Sequence, residues 1–519
     1  MTITAFDLKL ANFIQDKGSI DLNLCTSLFN KSESTLKRNI YKLNEYLSED
    51  LHFSINNHHV KTNMTYEDFS KLCEGIQLKD YSISLNERII LFICYTFFEG
   101  TLNTTQLYQE LNLSISTKKS DRKELDKFLL DKEVQVINRR RKGIELVGNE
   151  RFLRMYVAQK LIEVIELNEN DEFVQRKANT PVQMLLYNKF EEYLAVYHDE
   201  VTEELENLFK KFQSSVDYAS KKFIYIHTAI SLLRIKKGYG IQNSLKNMPA
   251  IPHYHMLPIE KDSQYLDYLI ASLNYKEPLD FPKNPTIQKI TKDFIQMIEK
   301  KMNVYFHLKD EIYKEIYAYL YKCQIKNKLK YNFYDDKLDN TQHVFPSLFT
   351  LIKNLMEDYQ NKYDFSLTEE QMSVVCLIIE TYIMKNNVIT KENPKVVIIT
   401  NSSVEKVNFF LESLKEFVDY EMVSYLTINE LYKLELLNFD YILTFSNRIT
   451  ILLRELGWQS IKLNFYLGNE DYKVLIDNGF RSNRNKKFKS EEFIEKLMQQ
   501  KTNEEKIRFL RENYSEYFL

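Results

Sequence analysis

A cluster of cationic side chains at Arg139, Arg140, Arg141 and Lys142 is the part of the sequence best suited to binding an anionic partner. Residues 114–154 contain 12 Lys or Arg and 7 Asp or Glu, a net charge of +5 (12 − 7) in a chain whose overall charge is −3. Guanidinium and ammonium groups neutralise phosphates, and they also donate hydrogen bonds to base edges. This segment therefore favours contact with duplex DNA.

The predicted elements around this cluster are three helices and a β-hairpin. Hydrophobic periodicity predicts helices over Leu85–Phe98, Thr104–Leu111 and Ser114–Asp131. A hairpin follows over Val134–Val147 and carries the four cationic residues at its tip. This order is typical of a winged helix-turn-helix, in which a helix enters the major groove and the wing contacts the backbone.

The same order of elements occurs once before, in residues 4–61. Helices are predicted over 4–17 and Asp21–Phe29, a third begins near Thr35, and His52–Lys61 reads as two short strands around an Asn-Asn turn. The third helix has one apolar stripe, formed by Leu36, Ile40, Leu43 and Leu47.

An offset of 82 residues aligns the third helices of the two modules. It matches Thr35 with Thr117 and Leu43 with Leu125. It also sets the cationic Lys118 and Arg122 against the apolar Leu36 and Ile40, which leaves the register of the second helix open by about one residue. The residues expected to face DNA are Thr35, Lys37, Arg38 and Lys42 in the first module, and Lys118, Lys119, Arg122 and Lys123 with the wing residues Arg139, Arg140, Arg141 and Lys142 in the second.

Composition limits the fold class. The 519 residues suffice for about three to five domains. Only 19 of them are Gly (10) or Pro (9), roughly 4% of the chain against a usual ~12%. Scarce helix breakers predict a mainly α, multidomain protein.

Five scattered cysteines fit buried thiols in a reducing cytosol better than a disulfide framework. Because the sequence has no long apolar run, we expect a cytoplasmic protein with no membrane contact.

His227 lies in an apolar helix, 223–238, seven residues before Arg234. A neutral imidazole nitrogen is a good nucleophile near pH 7, so a phosphoryl acceptor is one interpretation. The alternative is a histidine that only packs in the core. No Gly-rich phosphate loop, HExxH, GxSxG or paired metal-ligand motif is present, so we expect no cofactor, no metal and no catalytic residue, and we predict that the protein is not an enzyme.

Strands and helices alternate in the last part of the chain. Lys395–Thr400, Glu421–Leu426 and 439–446 read as buried strands, separated by helices over Val404–Phe417 and Ile428–Leu436. This alternation predicts a small parallel α/β sheet. A charged tail follows over 481–519, predicted as a helix.

Residues 139–154, RRRKGIELVGNERFLR, resemble the second helix-turn-helix of sugar-system transcription regulators. With the order of the other segments, the chain resembles the Mga/AtxA/RofA-type PRD-containing virulence regulators of Gram-positive bacteria. That family has two phosphotransferase-system regulation domains (PRDs) and an EIIB-like domain. The boundaries implied are 1–65 and 66–154 for the winged helix-turn-helix domains, 155–282 and 283–392 for the PRD1-like and PRD2-like bundles, 393–480 for the EIIB-like domain and 481–519 for the tail.

The resemblance also implies roles for single residues. PRDs carry a phosphorylated histidine followed seven residues later by arginine, as His227 and Arg234 are spaced, and the donor would be the histidine phosphocarrier protein. In the second PRD, Tyr319 and Ile378 stand where the family has histidines. Asn401 stands where a working EIIB has its cysteine, so phosphotransfer is not expected there.

The function predicted is that of a DNA-binding transcription regulator, an activator of virulence or surface genes. We expect a homodimer formed through the PRD2-like and EIIB-like domains and tuned by phosphotransferase-system phosphorylation. The alternative is a phosphotransferase-linked interaction protein that binds no DNA, which the excess of acidic residues in 1–113 (14 against 10 basic) keeps open. An RNA antiterminator fits less well, because such proteins resemble this chain in the PRDs but lack tandem winged helices.

Overall fold

The computed structural model describes residues 2–277, 279, 281–302, 306, 308–332, 338, 340–385, 394–478, 480–482, 497 and 506–510. The described residues are mostly helical, with short antiparallel hairpins in the N-terminal half and a small parallel sheet near the C-terminus. The predicted fold class, mainly α and multidomain, is confirmed. The tail predicted over 481–519 lies almost wholly outside the described residues, as does the predicted boundary at 392.

The first module has the three helices and the hairpin that the sequence predicts. Its elements are α1 (Ala5–Lys17), β1 (Ser19–Asp21), α2 (Leu22–Phe29), α3 (Glu33–Asn44), β2 (Ser54–Asn56) and β3 (His59–Lys61). The strand β1, which the sequence analysis did not predict, pairs with β3 and makes the hairpin a three-stranded antiparallel sheet in the order β1-β3-β2.

The second module begins with α4 (Tyr66–Gly75) and then repeats this plan with a longer first helix, third helix and hairpin. The repeated elements are α5 (Leu85–Glu99), α6 (Thr104–Glu110), α7 (Ile115–Leu130), β4 (Val134–Arg139) and β5 (Gly143–Gly148). The predicted bounds of α5, α6 and α7 are confirmed to within a residue. The helix α5 is apolar along nearly its whole length, and ten consecutive residues from Ile89 to Phe98 are buried.

Local sequence signals start and stop these helices. Thr4 and Asp7 form a capping box at the start of α1, and Ser84 and Glu87 form one at the start of α5. In a capping box the side chains of both residues bond to each other's backbone N–H groups, which would otherwise lack partners in the first turn. Gly18 follows the last turn of α1 with a φ of +67°, a conformation that glycine adopts without steric cost.

Helices dominate the middle of the chain. Its first part contains α8 (Glu150–Ile162), β6 (Ile165–Leu167), β7 (Phe173–Gln175), α9 (Pro181–Tyr193), α10 (His198–Phe212), α11 (Tyr218–Lys236) and α12 (Glu260–Ala271). Its second part contains α13 (Pro285–Met302), α14 (Lys309–Leu329), α15 (Thr341–Val344), α16 (Pro346–Tyr363) and α17 (Glu369–Lys385).

The predicted α/β arrangement near the C-terminus is confirmed. The elements are β8 (Lys395–Ile399), α18 (Val404–Phe417), β9 (Val418–Asp419), β10 (Glu421–Leu426), β11 (Tyr441–Thr444), α19 (Asn447–Glu455), β12 (Ile461–Lys462), α20 (Asn469–Asp477) and β13 (Arg481–Ser482). The main sheet is parallel in the order β10-β8-β11-β12, and β9 pairs with β13 outside it. The predicted helix Ile428–Leu436 is a 3₁₀ helix.

The described residues form two compact units. The first consists of Met1–Asn207, Lys222–Ser244 and Leu257–Asp262, and the second of Leu208–Lys221, Leu245–Met256 and Ser263–Leu519. Residues 155–282, which the resemblance assigns to one bundle, therefore contribute to both units. The domain boundaries from the sequence stay predictions.

A continuous hydrophobic core runs through the second unit. It joins side chains of α13, α14, α16 and α17 with those of β8, α18 and β11, including Phe294, Ile316, Ile379, Ile398 and Phe410. All five cysteines of the chain are buried and free, as predicted. The helices α13, α14, α16 and α17 and the parallel sheet thus share one core.

Buried ion pairs supplement this core. The ammonium of Lys322 on α14 lies 3.2 Å from Oδ1 of Asn274 and 3.4 Å from Oε1 of Glu405, the second residue of α18. Burial alone would raise the pKa of Glu405, but the charge of Lys322 and a backbone hydrogen bond hold it below its usual value. Lys276 pairs likewise with Glu430. The first contact fixes the start of α18 against α14, and the second fixes the segment Ile428–Leu436 against Lys276.

Gly143 is the residue that lets the wing close against the second module. Its φ is +105°, and a Cβ on it would lie 2.2 Å from the carbonyl oxygen of Leu102. The adjacent Ile144 exchanges two backbone hydrogen bonds with Leu102, of 2.8 and 3.0 Å. A side chain at position 143 would therefore push the wing off the helices.

We expect Gly143→Ala to lower the free energy of unfolding by about 1–3 kcal/mol, the usual cost of a strained backbone position. Urea titration of the full chain measures this change. Gly75→Ala is the matched control, since a Cβ there meets no atom within 4 Å and its φ is not positive. Equal stability of the two variants would contradict the role given to Gly143.

Candidate nucleic-acid interface

The wing is an antiparallel hairpin with six residue pairs. The pairs run from Val134 opposite Gly148 to Arg139 opposite Gly143. Its turn is closed by a 3.0 Å hydrogen bond from the N–H of Lys142 to the carbonyl of Arg139, and Arg141 adopts a φ of +63°. Nε of Arg139 donates to Glu145 at 2.5 Å, so part of its charge is neutralised within the hairpin. Arg140, Arg141 and Lys142 are exposed at the tip.

The third helix of each module begins in the same way. Oγ of Ser32 accepts a hydrogen bond from the N–H of Thr35 at 3.3 Å, and Oγ of Ser114 accepts one from Thr117 at 3.1 Å. In both caps the serine and threonine hydroxyls lie 2.8 Å apart. The offset of 82 residues is therefore the structural register as well, and it removes the one-residue uncertainty left by the sequence.

The predicted DNA-facing residues of α7 separate into two groups. Lys119 and Lys123 are exposed on its outer face. Lys118 and Arg122 are half-buried, as the positions of Leu36 and Ile40 in the first module require. Nζ of Lys118 donates to Thr105 Oγ1 at 2.8 Å, and Arg122 binds Asp126 at 3.0 Å and the carbonyl of Val136 at 3.1 Å.

A buried carboxylate fixes the orientation of α7. Asp121 accepts hydrogen bonds from Nε and Nη2 of Arg88 on α5, at 2.6 and 2.9 Å. It also accepts one from the hydroxyl of Tyr108 on α6, at 2.7 Å. Bidentate Arg–carboxylate pairs are strong and directional, so this cluster holds the three helices of the module in one arrangement. Burial and the bond to Asp121 raise the pKa of Tyr108.

In the first module the predicted DNA-facing residues also differ from one another in exposure and in contacts. Arg38 is exposed on α3 and Thr35 is half-buried with its hydroxyl in the cap. Lys37 pairs with Glu33 at 2.7 Å along the same helix. Lys42 differs from the expectation, because its ammonium binds the fully buried Asp7 at 2.5 Å and its side chain is only 16% exposed. That charge stabilises the packing of α3 on α1.

A second buried ionic cluster connects the end of the wing to the helices that follow. Oε1 of Glu150, the first residue of α8, accepts from Nε of Arg234 at 2.7 Å and from Nε of Arg154 at 3.0 Å. Oε2 of Glu150 accepts from Nη2 of Arg234 at 2.8 Å. Nη2 of Arg154 also lies 2.6 Å from Oδ1 of Asp262.

Arg234 reaches back to the second module as well. Its Nη1 donates to the carbonyl of Phe97, near the end of α5, at 2.9 Å. Its guanidinium carbon lies 4.3 Å from the ring centroid of Phe97 and 3.8 Å from that of Tyr239. A guanidinium stacked between rings and bonded in its plane is held in one orientation. The cluster therefore ties α5, α8 and α11 together.

His227 lies on α11, two turns before Arg234, and has 0% exposure. Its ring packs beside Phe223 with centroids 5.5 Å apart. Burial, and next the charge of Arg154, lower the pKa of His227 to about 3. The ring is therefore neutral at pH 7 and inaccessible to a protein partner in this conformation.

Comparisons with known proteins agree with this geometry. Residues 80–160 match the family of the Mga helix-turn-helix domain. These residues form an Mga-type helix-turn-helix domain. The transcriptional regulator ManR of Bacillus subtilis (strain 168) is 20% identical over 400 residues, which cover 72% of this chain and 59% of ManR. The chain thus spans less than two thirds of that relative. The two findings confirm the resemblance to an Mga-type regulator.

The Mga-type domain includes the Asp121 cluster, the wing and Glu150. The sequence did not predict the buried contacts of Asp121 or Glu150. The stretch 139–154 contains Glu150, and Arg234 follows His227 by seven residues, but the sequence does not predict that the two pair. Asp121 and Asp262 were not noted at all. A charged residue at an otherwise buried helical position is the only signal that the sequence offers for such sites.

In the second unit, the residues that the resemblance compares with histidines and a cysteine, Tyr319, Ile378 and Asn401, have structural contacts. Oδ1 of Asn401 accepts a hydrogen bond from the N–H of Ile428 at 3.2 Å. Tyr319 and Ile378 are buried, and the hydroxyl of Tyr319 donates to the carbonyl of Gln371 at 3.4 Å. Within the part of the chain that the structure describes, no three His, Cys, Asp or Glu residues are grouped to hold a metal ion. No described helix is long and apolar enough to cross a membrane.

We expect Glu150→Gln to destabilise the protein by about 3–5 kcal/mol, because the change leaves two arginines buried without the carboxylate they share. Chemical unfolding of the full chain measures this. Glu124→Gln is the control, as Glu124 forms an exposed pair with Lys127 that contributes at most about 1 kcal/mol. A cost below 1 kcal/mol for Glu150→Gln would show that the cluster does not hold α8 and α11 together.

The buried His227 gives a pH dependence with a defined sign. Its pKa is about 3 in the folded protein and 6.5 in an unfolded chain, so below pH 6.5 the unfolded state takes up a proton that the folded state does not. The folded state therefore has its full stability from the neutral His227 above pH 6.5. As the pH falls below 6.5, the free energy of unfolding decreases by about 1.4 kcal/mol per pH unit.

We expect His227→Leu to remove that slope between pH 5.5 and 4.5, as measured by urea titration at each pH. His59→Leu, at an exposed position, is the comparison that should keep it. Parallel pH profiles for wild type and His227→Leu would mean that the ring is not held neutral inside the fold.

Proposed function

We propose that this protein is a DNA-binding transcription regulator. The observation that carries the proposal is the Mga-type domain in which Lys119 and Lys123 are exposed on α7, while Arg140, Arg141 and Lys142 are exposed on the wing. A helix fits the major groove and a basic wing contacts phosphates of the same duplex. The relative ManR, itself described as a transcriptional regulator, supports the same function.

The first module contributes less charge to the proposed interface. Arg38 is the exposed cation on α3, with Tyr41 beside it at 61% exposure. Thr35 and Lys37 flank this position, and we keep both as candidates, whereas Lys42 is occupied by Asp7. Two modules in tandem would read a longer site than one, with most of the phosphate neutralisation at the second.

We further propose a homodimer formed through residues 283–480. Two large apolar side chains in this region are exposed on the segment Ile428–Leu436, Tyr432 at 68% and Leu436 at 80%. Apolar side chains of this exposure are common at protein interfaces. Light scattering on the purified chain tests the oligomeric state.

Phosphorylation by the histidine phosphocarrier protein at His227, and control of virulence genes, stay hypotheses of the resemblance. With 0% exposure, His227 can accept a phosphoryl group only in a conformation in which α11 exposes its ring. Such a conformation would have to loosen the cluster at Arg234 on the same helix. Mass spectrometry after incubation with the phosphorylated carrier tests this step.

The rival function is an interaction protein that binds no DNA. The neutralised cations of the first module, Lys37 and Lys42, are compatible with it. The exposed cations of the wing favour the regulator. A protein-binding role would not require a basic hairpin directly after a helix-turn-helix, whereas DNA binding does use one there. An RNA antiterminator again fits less well with two tandem modules.

We expect the wild-type chain to bind AT-rich duplex DNA from upstream of its own gene, with an affinity that falls steeply with salt. The triple variant Arg140→Ala, Arg141→Ala and Lys142→Ala should bind more weakly. The slope of log K against log salt should become shallower by up to about 3, since each phosphate contact contributes ~0.9. Fluorescence anisotropy across a salt series measures both quantities.

The matched control replaces three exposed lysines of α13, Lys292, Lys300 and Lys301, by alanine. It removes the same charge from the second unit and should leave the slope unchanged. Failure of the folded wild type to bind at low salt would overturn the regulator and favour the interaction protein. An equal loss in both triple variants would show that only net charge matters.

A further inference from the structure

A cavity of about 210 Å³ lies inside the second module, between α5, α6, α7 and the wing. Ile89, Phe92, Leu125 and Ile144 form its apolar walls. For scale, an apolar cavity of ~150 Å³ in another protein binds benzene. The volume here therefore accommodates one six-membered ring with a small substituent.

The cavity arises from a difference between the two modules. In the first, Leu36 and Ile40 lie at 0% exposure between the helices. The equivalent positions in the second are Lys118 and Arg122, whose long side chains carry their charged ends outward. Nζ of Lys118 lies on Thr105, and the guanidinium of Arg122 lies on Asp126. The space that the apolar side chains fill in the first module is left open in the second.

The charge of the lining is positive. Arg88, Lys118 and Arg122 contribute three positive charges, but Asp121 pairs with Arg88 and Asp126 pairs with Arg122, which leaves +1 (3 − 2), at Lys118. The carboxylate of Asp121 is already bonded to Arg88 and to Tyr108. Lys118 bonds to a neutral hydroxyl, so its charge is available to an anion that enters the cavity.

We propose that this cavity binds a small organic anion, a carboxylate or phosphate group on a ring-sized apolar body. The acidic group meets the ammonium of Lys118 and the guanidinium of Arg122, and charge-assisted hydrogen bonds of this kind are the strong ones. The apolar body contacts Phe92 and Leu125, where its burial removes apolar surface from water. The ligand then touches α7 and the wing together.

The test is isothermal titration of the full-length chain, without DNA, with benzoate and with phenyl phosphate. We expect 1:1 binding of at least one of them. Benzyl alcohol, a neutral molecule of similar shape, should bind at least 10-fold more weakly. Because no DNA is present, the result is independent of the proposed regulatory function.

The decisive variant is the double substitution Lys118→Leu and Arg122→Ile, which installs the pair of the first module. It should abolish binding and leave the thermal midpoint equal or higher, since it fills the cavity with apolar side chains. The single change Lys127→Met on the same helix is the control, because Lys127 lies outside the cavity with its side chain 72% exposed. It should bind as the wild type does.

Three results would overturn the proposal. The first is that the folded wild type binds neither benzoate nor phenyl phosphate at millimolar concentration. The second is that the double variant, shown to be folded, binds them as well as the wild type. The third is that inorganic phosphate binds as tightly as phenyl phosphate while benzoate does not bind. That result would identify a binding site for a phosphate group alone, such as one from DNA, in place of an organic ligand.

Discussion

The ion pair between Glu150 and Arg234 is the interaction on which the arrangement of the first unit depends. Both carboxylate oxygens of Glu150 are used, and Arg154 shares one of them. Because Glu150 directly follows the wing strands and Arg234 also binds the carbonyl of Phe97, one guanidinium fixes the end of the wing relative to α5. A buried charge that loses its partner is costly, so the two elements move together or the cluster breaks. The position of the basic tip of the wing is thus set from the interior of the protein.

The orientation of α7, the third helix of the second module, depends on a similar buried cluster. Arg88 and Tyr108 hold Asp121, and this places Lys119 and Lys123 on the exposed face while Lys118 and Arg122 point along the cavity. The first module achieves the same helix orientation with apolar packing of Leu36 and Ile40, supplemented by the pair between Lys42 and Asp7. The two modules therefore hold the same helix by different contacts, and a cavity lies beside Lys118 and Arg122 in the second.

His227 links this architecture to the proposed regulation. It lies on the same helix as Arg234, inside the same unit, and burial keeps its ring neutral. Because Arg234 lies on the same helix, a movement of α11 that exposed His227 would also act on Glu150. In the second unit Tyr319 and Ile378 are buried side chains, and Oδ1 of Asn401 accepts a hydrogen bond from the backbone N–H of Ile428.

The sequence by itself determined the kinds and order of the elements, because periodicity, caps and scarce Gly and Pro act locally. The bounds of α5, α6, α7 and α18, the two hairpins and the parallel orientation of the last strands all follow from such signals. The offset of 82 residues came from the sequence too, although the matching caps at Ser32 and Ser114 were needed to fix it. Tertiary structure alone decided which charges are available. Lys42 and Arg139 have carboxylate partners distant in sequence or across a hairpin, and Glu150 meets Arg234 from 84 residues away. Such pairs are invisible to local patterns, because burial and partner choice are set only when separate helices pack.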